Sequence, residues 1–312
     1  MVKPVPILPG MIGPGSRKSM GYRIAGLCGA SAFVGALLLF VPAHVGKVAP
    51  PVDIAAATIP TPAHVVIVME ENHDPDDVIG NTSAPYINAL ATNGAYMRRA
   101  FAEAHPSEPN YMALFAGRTF DLIWDFCPVN EGNTPNLGAE LLAAGLTFTG
   151  FAEDLPAVGS TVCTSGNYDR AHAPWVNFSN VPASDSVPFS AFPAPANYAS
   201  LPTVSFVIPN LVHDMHSGTV AQADSWLQQN LSSYAEWAKA NNSLLIVVWD
   251  ESNDYFFPNR IPMIFYGANV KPGTYDEQIN HYNLLSTLEQ MYGLPKTGNA
   301  ANATAITDIW GS

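Results

Sequence analysis

The chain is expected to fold as an α/β protein with a mostly parallel central sheet flanked by helices on both faces. Three observations lead there. Short runs of Val, Ile and Leu, too uniformly apolar to leave one face wet, alternate with segments of helical character. Several of those runs end in carboxylate-rich stretches, as strands do where an open α/β sheet meets its ligand. Over 312 residues, 48% are hydrophobic and 12% charged, which supplies a large core and excludes a disordered tail protein or a coiled coil.

HVVIVM (64–69) predicts the first buried strand. APYINALATNG predicts a helix stopped by Gly94, and SEPNYMALFAG one that opens at Ser107 and closes at Gly117. LGAELLAAG followed by LTFTGFAED reads as helix, glycine cap and strand. Residues 154–200, rich in Pro, Ser, Asn and aromatics, have no period. They are expected to form an irregular excursion packed on the domain surface, placed to cap a substrate. Alternation resumes with a strand, TVSFVI (203–208), and a helix of about five turns over ADSWLQQNLSSYAEWAKANN. SLLIVVW (243–249) and IPMIFYG (261–267) are strands, and HYNLLSTLEQMYG is a last helix capped by Gly293. No internal repeat is visible.

The charge is uneven. Lys3, Arg17, Lys18, Arg23 and Lys47 precede residue 50, where no Asp or Glu occurs. The basic stretch ending at Arg23 runs into IAGLCGASAFVGALLLFVPAHVG, so residues 1–49 are expected to be a secretory signal, with an uncleaved membrane anchor as the alternative. Cys28 lacks the small residue before it that lipidation wants. PPVDIAAATIPTP (50–62) reads as a tether, leaving 63–312 as the folded domain of a secreted protein. The chain carries a net charge of −13, which excludes nucleic-acid binding through a basic face. An anionic substrate then needs a local positive centre, and a divalent metal ion would supply one. Without the leader two cysteines remain, Cys127 and Cys163. In an exported chain they suggest one disulfide, the alternative being two buried thiols. Neither lies beside a histidine-bearing motif, which disfavours a thiol nucleophile.

Three apolar runs lead straight into metal-type ligands. HVVIVM continues into Glu70, Glu71, Asn72 and His73; TVSFVI into Asn210, His213, Asp214, Met215 and His216; SLLIVVW into Asp250, Glu251, Asn253 and Asp254. One such cluster is an ordinary helix cap or loop start. Three at one sheet edge would repel one another unless a cation sat among them. Oxygen and imidazole donors without thiolate suit Zn, Mn, Mg, Ca or Fe. His64, His73 and His172 read as surface or packing residues. In HPSEPNY (105–111), Ser107 stands where a loop enters a helix: either a nucleophile facing the helix N–H groups or simply an N-cap. No GxSxG elbow, P-loop, dinucleotide fingerprint or HExxH is present.

With VVIVMEENHDPDDVIG, AHPSEPNYMALFAG, VIPNLVHDMHSG, VVWDE and GANVKPGTYDEQINHYNLLSTLEQMYGLP in this order, the chain from about residue 63 onward resembles the bacterial phosphoesterase family of acid phosphatases and phospholipases C. That family is similar in fold to alkaline phosphatases and sulfatases. The resemblance implies an alkaline-phosphatase-like fold and a phosphomonoesterase, an acid phosphatase with phosphoinositides among its candidate substrates. Its partners would be a small-molecule or lipid phosphate ester, met in solution or at a membrane surface. It implies that Glu71 and Asn72 contact metal and phosphate, that Ser107 is nucleophile or phosphate anchor, and that Asp214 and His216 are metal ligands. Asp250 and Glu251 become ligands or ligand-orienting groups, and His281 a late histidine ligand. In the resulting scheme a cation activates Ser107 for in-line attack, while helix-start N–H groups and Asn72 hold phosphate oxygens. His105 or His216 protonates the leaving alkoxide. Asn110 and His213 are the further substrate-binding candidates.

Two positions depart from the family pattern, Ser217 and Ser252, each where an acid is common. The run Tyr255-Phe256-Phe257 would line a lipid-facing mouth or pack a loop. The rival readings are a phospholipase C-type diesterase and a non-catalytic secreted binding protein. A sulfatase is disfavoured because the CxPxR motif is missing.

Overall fold

The computed structural model describes residues 59–253, 255 and 258–311. The expected leader, residues 50–58 of the tether, Asp254, Phe256 and Phe257 lie outside the described residues. In chain order the main strands are β1 (His64–Glu70), β2 (Ala95–Met97), β3 (Phe148–Ala152), β4 (Ser186–Pro188), β5 (Val204–Ile208), β6 (Ser243–Trp249), β7 (Met263–Gly267) and β8 (Gly273–Tyr275). They form one sheet in the order β8-β2-β7-β6-β1-β5-β3-β4. β1 lies at its centre, parallel to β5 and β6, and Val65 to Met69 are wholly buried. Such strands need cover on both faces, which explains their unbroken apolar character.

β7 alone runs against the rest, antiparallel to both β6 and β2. It begins at Met263 because Pro262 has no N–H to give a ladder, while Ile261 pairs with Ala100 in a separate small sheet.

Among the described residues the longer helices on the sheet are α1 (Pro85–Asn93), α2 (Glu108–Ala116), α3 (Leu137–Ala143), α4 (Val220–Ala240) and α5 (His281–Met291). Phe148 and Phe151, an odd number apart on β3, face opposite sides of the sheet. Phe148 meets Phe115 of α2 at 5.3 Å, whereas Phe151 packs on Phe192, which meets Tyr234 of α4. α4 starts three residues before its apolar pattern because Thr219 and Gln222 form a reciprocal capping box. No helix among the described residues is long and apolar enough to cross a membrane.

Residues 154–200 hold five short 3-10 turns, a small hairpin and β4, which extends the sheet edge. They are not merely laid on the surface: Tyr168, Arg170, His172, Trp175 and Phe178 are buried. Gly150 makes this possible. A Cβ there would meet the Trp175 indole at 2.1 Å, so only glycine lets that ring lie on β3. A disulfide joins Cys127 to Cys163 and ties this excursion to the loop after α2.

Candidate active site

The register of β1 and β6 sets Glu70 opposite Trp249, so Glu71 and Asp250 leave the sheet side by side. The Asp250 N–H donates to the Glu70 carbonyl (3.0 Å) and the Glu71 N–H to the Asp214 carbonyl (2.7 Å). Three strand ends therefore converge at the carboxyl edge of the sheet. Two turns aim the side chains. Asn72 has φ 40°, a conformation asparagine tolerates, and Met215 has φ 82° between Asp214 and His216.

Glu71 is the hub. It is fully buried; its Oε2 accepts from Ser107 Oγ (2.9 Å), and its Oε1 accepts from the Tyr111 hydroxyl. His172 brings Nε2 to 3.3 Å from Glu71 Oε1 and Nδ1 to 3.6 Å from Asp214 Oδ2. Tyr111 stacks on the His172 ring at 4.9 Å. Ser107 Oγ lies 3.2 Å from Glu251 Oε1, which also accepts from Asn72 Nδ2 (2.7 Å). The Asn72 N–H donates to Asp250 Oδ1 (3.0 Å), and Asn72 Oδ1 lies 3.0 Å from His216 Nδ1. His216 also approaches Glu71 Oε2 at 3.4 Å, and His105 Nδ1 bonds Glu251 Oε2.

The electrostatics are those of crowded carboxylates short of positive charge. Burial, then Glu71 and Glu251, lifts Asp250 well above the usual carboxylate range. Burial and Glu71 push Glu251 up to about 8. Burial would raise Glu71 too, but His172, His216 and Tyr111 outweigh it and hold it low. Burial would lower His172, yet Glu71 and Asp214 lift it to about 10. The cationic partners of these carboxylates are histidines alone among the described residues. Protons thus stand where a cation would.

The donor set fits a divalent ion. Glu71, His172 and Asp214 offer ligand atoms within 4.8 Å of one another, all buried. Asp214 Oδ2 and Asp250 Oδ2 are buried without a hydrogen-bond partner. Oxygen plus imidazole donors without thiolate suit a hard or borderline metal.

Glu71, Asn72, His105, Ser107, Asp214, His216, Asp250 and Glu251 lie together at the carboxyl edge of the sheet, whereas three other candidates are engaged elsewhere. His281 is fully buried, but Nδ1 bonds Glu103 Oε2 (2.5 Å) and Nε2 the Trp249 carbonyl (2.9 Å), so no ring nitrogen is left for a metal. His213 pairs with Glu153 (2.9 Å) and stacks on Trp226, away from the cluster. Asn110 staples the preceding loop, accepting from the Glu103 and Ala104 N–H groups and donating to the Ala104 and Pro106 carbonyls. The start of α2 is also closed to phosphate: the Glu108 N–H donates to Asp125 Oδ1 (2.8 Å), and Pro109 has no N–H. As for the departures, the Ser217 N–H donates to the Leu211 carbonyl and the Ser252 N–H to Asn259 Oδ1.

His172, expected from the sequence to be a surface or packing residue, stands between Glu71 and Asp214, and sequence reasoning passed over Tyr111. Tyr111 had a usable signal, standing four residues after Ser107 on one helix face. His172 had none, since its segment has no period.

A match to the phosphoesterase family covers residues 81–295. A phosphatidylinositol-3-phosphatase of Mycobacterium tuberculosis is 68% identical over 262 residues, 84% of this chain and 87% of that protein. A probable acid phosphatase of Kluyveromyces lactis is 28% identical over 78% of this chain; the match spans 63% of that longer protein. Two solved structures share the fold. A protein of the alkaline phosphatase superfamily from Vibrio parahaemolyticus superposes with a TM-score of 0.56 at 14% identity, over 80% of this chain and 72% of that one. The lipoteichoic acid synthase LtaP from Listeria monocytogenes gives 0.58 at 12% identity, over 81% and 77%.

Proposed function

The chain belongs to the phosphoesterase family and is a phosphoric ester hydrolase, and from that premise we propose that it is a secreted phosphomonoesterase acting on the phosphorylated headgroup of phosphoinositides through Ser107. One observation carries this reading. Ser107 occupies an N-cap position, yet its hydroxyl makes no bond to its own helix and is turned onto the carboxylates of Glu71 and Glu251. A serine hydroxyl within hydrogen-bond reach of two carboxylates has the proton acceptor that a nucleophile needs. The 68% identity to a phosphatidylinositol-3-phosphatase supports the substrate class.

A divalent ion held by Glu71, His172 and Asp214, with Asp250 beside them, would lower the Ser107 pKa and offset the charge of the phosphate. The chain's own groups do the rest. Glu71 or Glu251 accepts the Ser107 proton across the 2.9 and 3.2 Å contacts as Oγ attacks phosphorus in line. The Oγ–P bond forms as the bond to the alcohol oxygen breaks, and that oxygen takes a proton from His105 or His216. Water then cleaves the seryl phosphate and releases inorganic phosphate. Asn72 fixes the carboxylates from the solvent side and orients the phosphate.

The test is turnover of a chromogenic phosphate monoester by the full chain supplied with divalent cation, beside Ser107→Ala and Asp250→Asn. Loss of about three orders of magnitude or more in Ser107→Ala is expected. Retained turnover there would remove Ser107 as nucleophile. Hydrolysis of a choline phosphodiester in preference to the monoester would instead establish the diesterase reading.

A further inference from the structure

The loop after α2 keeps large apolar side chains in water. Ile123 is 68% and Trp124 65% exposed, and Phe126 and Val162 are also exposed. This is not a loosely held segment. Phe120 and Asp121 both take φ 55°, a costly conformation for a bulky residue such as Phe120, and the Phe120 ring packs on Phe178 at 6.0 Å. Asp125 accepts from the Glu108 N–H (2.8 Å), and Glu108 Oε2 accepts from the Phe126 N–H (2.7 Å). The Cys127–Cys163 disulfide ties the end of the loop to the segment that carries Val162. Four constraints therefore fix a loop whose tip points two apolar residues outward, at a cost in solvation that needs an occupant.

That tip borders the reacting hydroxyl. Glu108 follows Ser107 directly, and its N–H donates to the carboxylate of Asp125, the residue next to Trp124. Tyr255, 71% exposed, stacks at 4.9 Å on His105, which bonds the same Glu251. Each apolar group is thus tied to the site by direct contacts, Trp124 through its neighbour Asp125 and Glu108, Tyr255 through His105.

We propose that Ile123, Trp124 and Tyr255 form a rim that inserts into the surface of a phosphoinositide-bearing bilayer and seats the lipid headgroup over Ser107. This rests on the phosphoinositide reading above. Trp and Tyr, apolar in body and polar at the tip, suit a lipid–water boundary. Whatever covers this rim also covers the mouth of the site. A protein there would block turnover, whereas a bilayer delivers the substrate. With a net charge of −13, the chain has no general attraction for anionic lipid, so docking is by apolar insertion and is insensitive to salt.

The experiment compares the full chain with an Ile123→Ser, Trp124→Ser double variant in three assays. These are cosedimentation with phosphatidylcholine vesicles, hydrolysis of phosphatidylinositol 3-phosphate carried in those vesicles, and turnover of a soluble chromogenic monoester. Vesicle binding and vesicle turnover are expected to fall about tenfold or more, with monoester turnover unchanged, which also shows that the variant folds. Trp124→Phe should restore most of the binding, and added salt should leave wild-type binding unaltered. Equal sedimentation of wild type and double variant, or none by wild type, overturns the proposal; the second result would leave a protein as the rim's occupant. Wild type that sediments but hydrolyses neither vesicular nor soluble short-chain phosphoinositide would overturn the substrate reading and leave the docking rim standing.

Discussion

Ser107 and Tyr111 both donate to Glu71, one to each carboxylate oxygen, so Glu71 is held from two sides of one helix turn. The Tyr111 hydroxyl is fully buried and its pKa raised by burial, so it remains a donor to Glu71 while its ring backs His172. Tyr111→Phe keeps the ring and removes the donor. Leaving a buried carboxylate one bond short costs about 1–3 kcal/mol, so the melting temperature is expected to fall by a few degrees, and turnover of a monoester roughly tenfold as Glu71 loses its fixed position. A larger loss of stability than of turnover would mean that Tyr111 is structural. His281 should behave in the opposite way. Its pairing with Glu103 is buried, so His281→Gln is expected to lower stability by about 3 kcal/mol and leave the metal stoichiometry intact by titration. Loss of bound metal at unchanged stability would restore His281 as a ligand. Glu71, Asp250 and Glu251 drew notice because apolar runs stop at them, and Asp214 because a polar stretch after such a run contains it. His281 misled because a histidine at a helix start is equally a ligand or a packing residue until its ring nitrogens are seen.

Strands β1, β5 and β6 and helices α1, α2 and α5 fall where apolar period, caps and glycines put them, because each is decided by its own residues. The reversed direction of β7 was not legible, since direction belongs to a pair of strands. Nor was the role of residues 154–200, whose order comes from contacts made far away in sequence. Gly150 exposes that dependence. It lies on β3, but what it admits is Trp175, and Trp175 holds the turns that carry His172. Gly150→Ala forces the indole off the strand, and overpacking of this kind costs about 1–3 kcal/mol. Beyond that loss, metal affinity should weaken because His172 moves with the turn. Calorimetric titration with a divalent cation checks this. A variant that is destabilised yet binds metal as the wild type does would show that the His172 turn is held by other contacts, such as the buried Arg170 side chain and its bonds to the Thr161 and Val129 carbonyls.

Taken as one body, the protein keeps several carboxyl groups protonated, and this sets how its stability answers to pH and metal. Glu108 and Glu289 are each pushed up to about 7 and Glu251 to about 8, in every case chiefly by burial. A carboxyl raised in the fold holds a proton that the unfolded chain has already released above about pH 4.5, so each such group makes folding less favourable as pH rises. His172 adds to the trend. Lifted to about 10, it contributes stability that is complete below the ordinary histidine pKa and is lost as pH climbs from there toward about 10. Glu71, held low, acts the other way only below the ordinary carboxylate range, outside this window. With metal removed by chelator, the melting temperature is therefore expected to be highest near pH 5 and to fall steadily toward pH 8. A divalent ion held by Glu71, His172 and Asp214, with Asp250 beside them, would displace the protons on His172 and Asp250, so its binding would release protons and tighten as pH rises. The stabilisation on adding cation should then be small at the acid end and large at the alkaline end. Scanning calorimetry across that range, with and without cation, decides the matter. A chelated protein whose melting temperature ignores pH, or a cation effect that is greatest in acid, would mean that the clustered carboxyls are not protonated and that no cation takes the place of their protons.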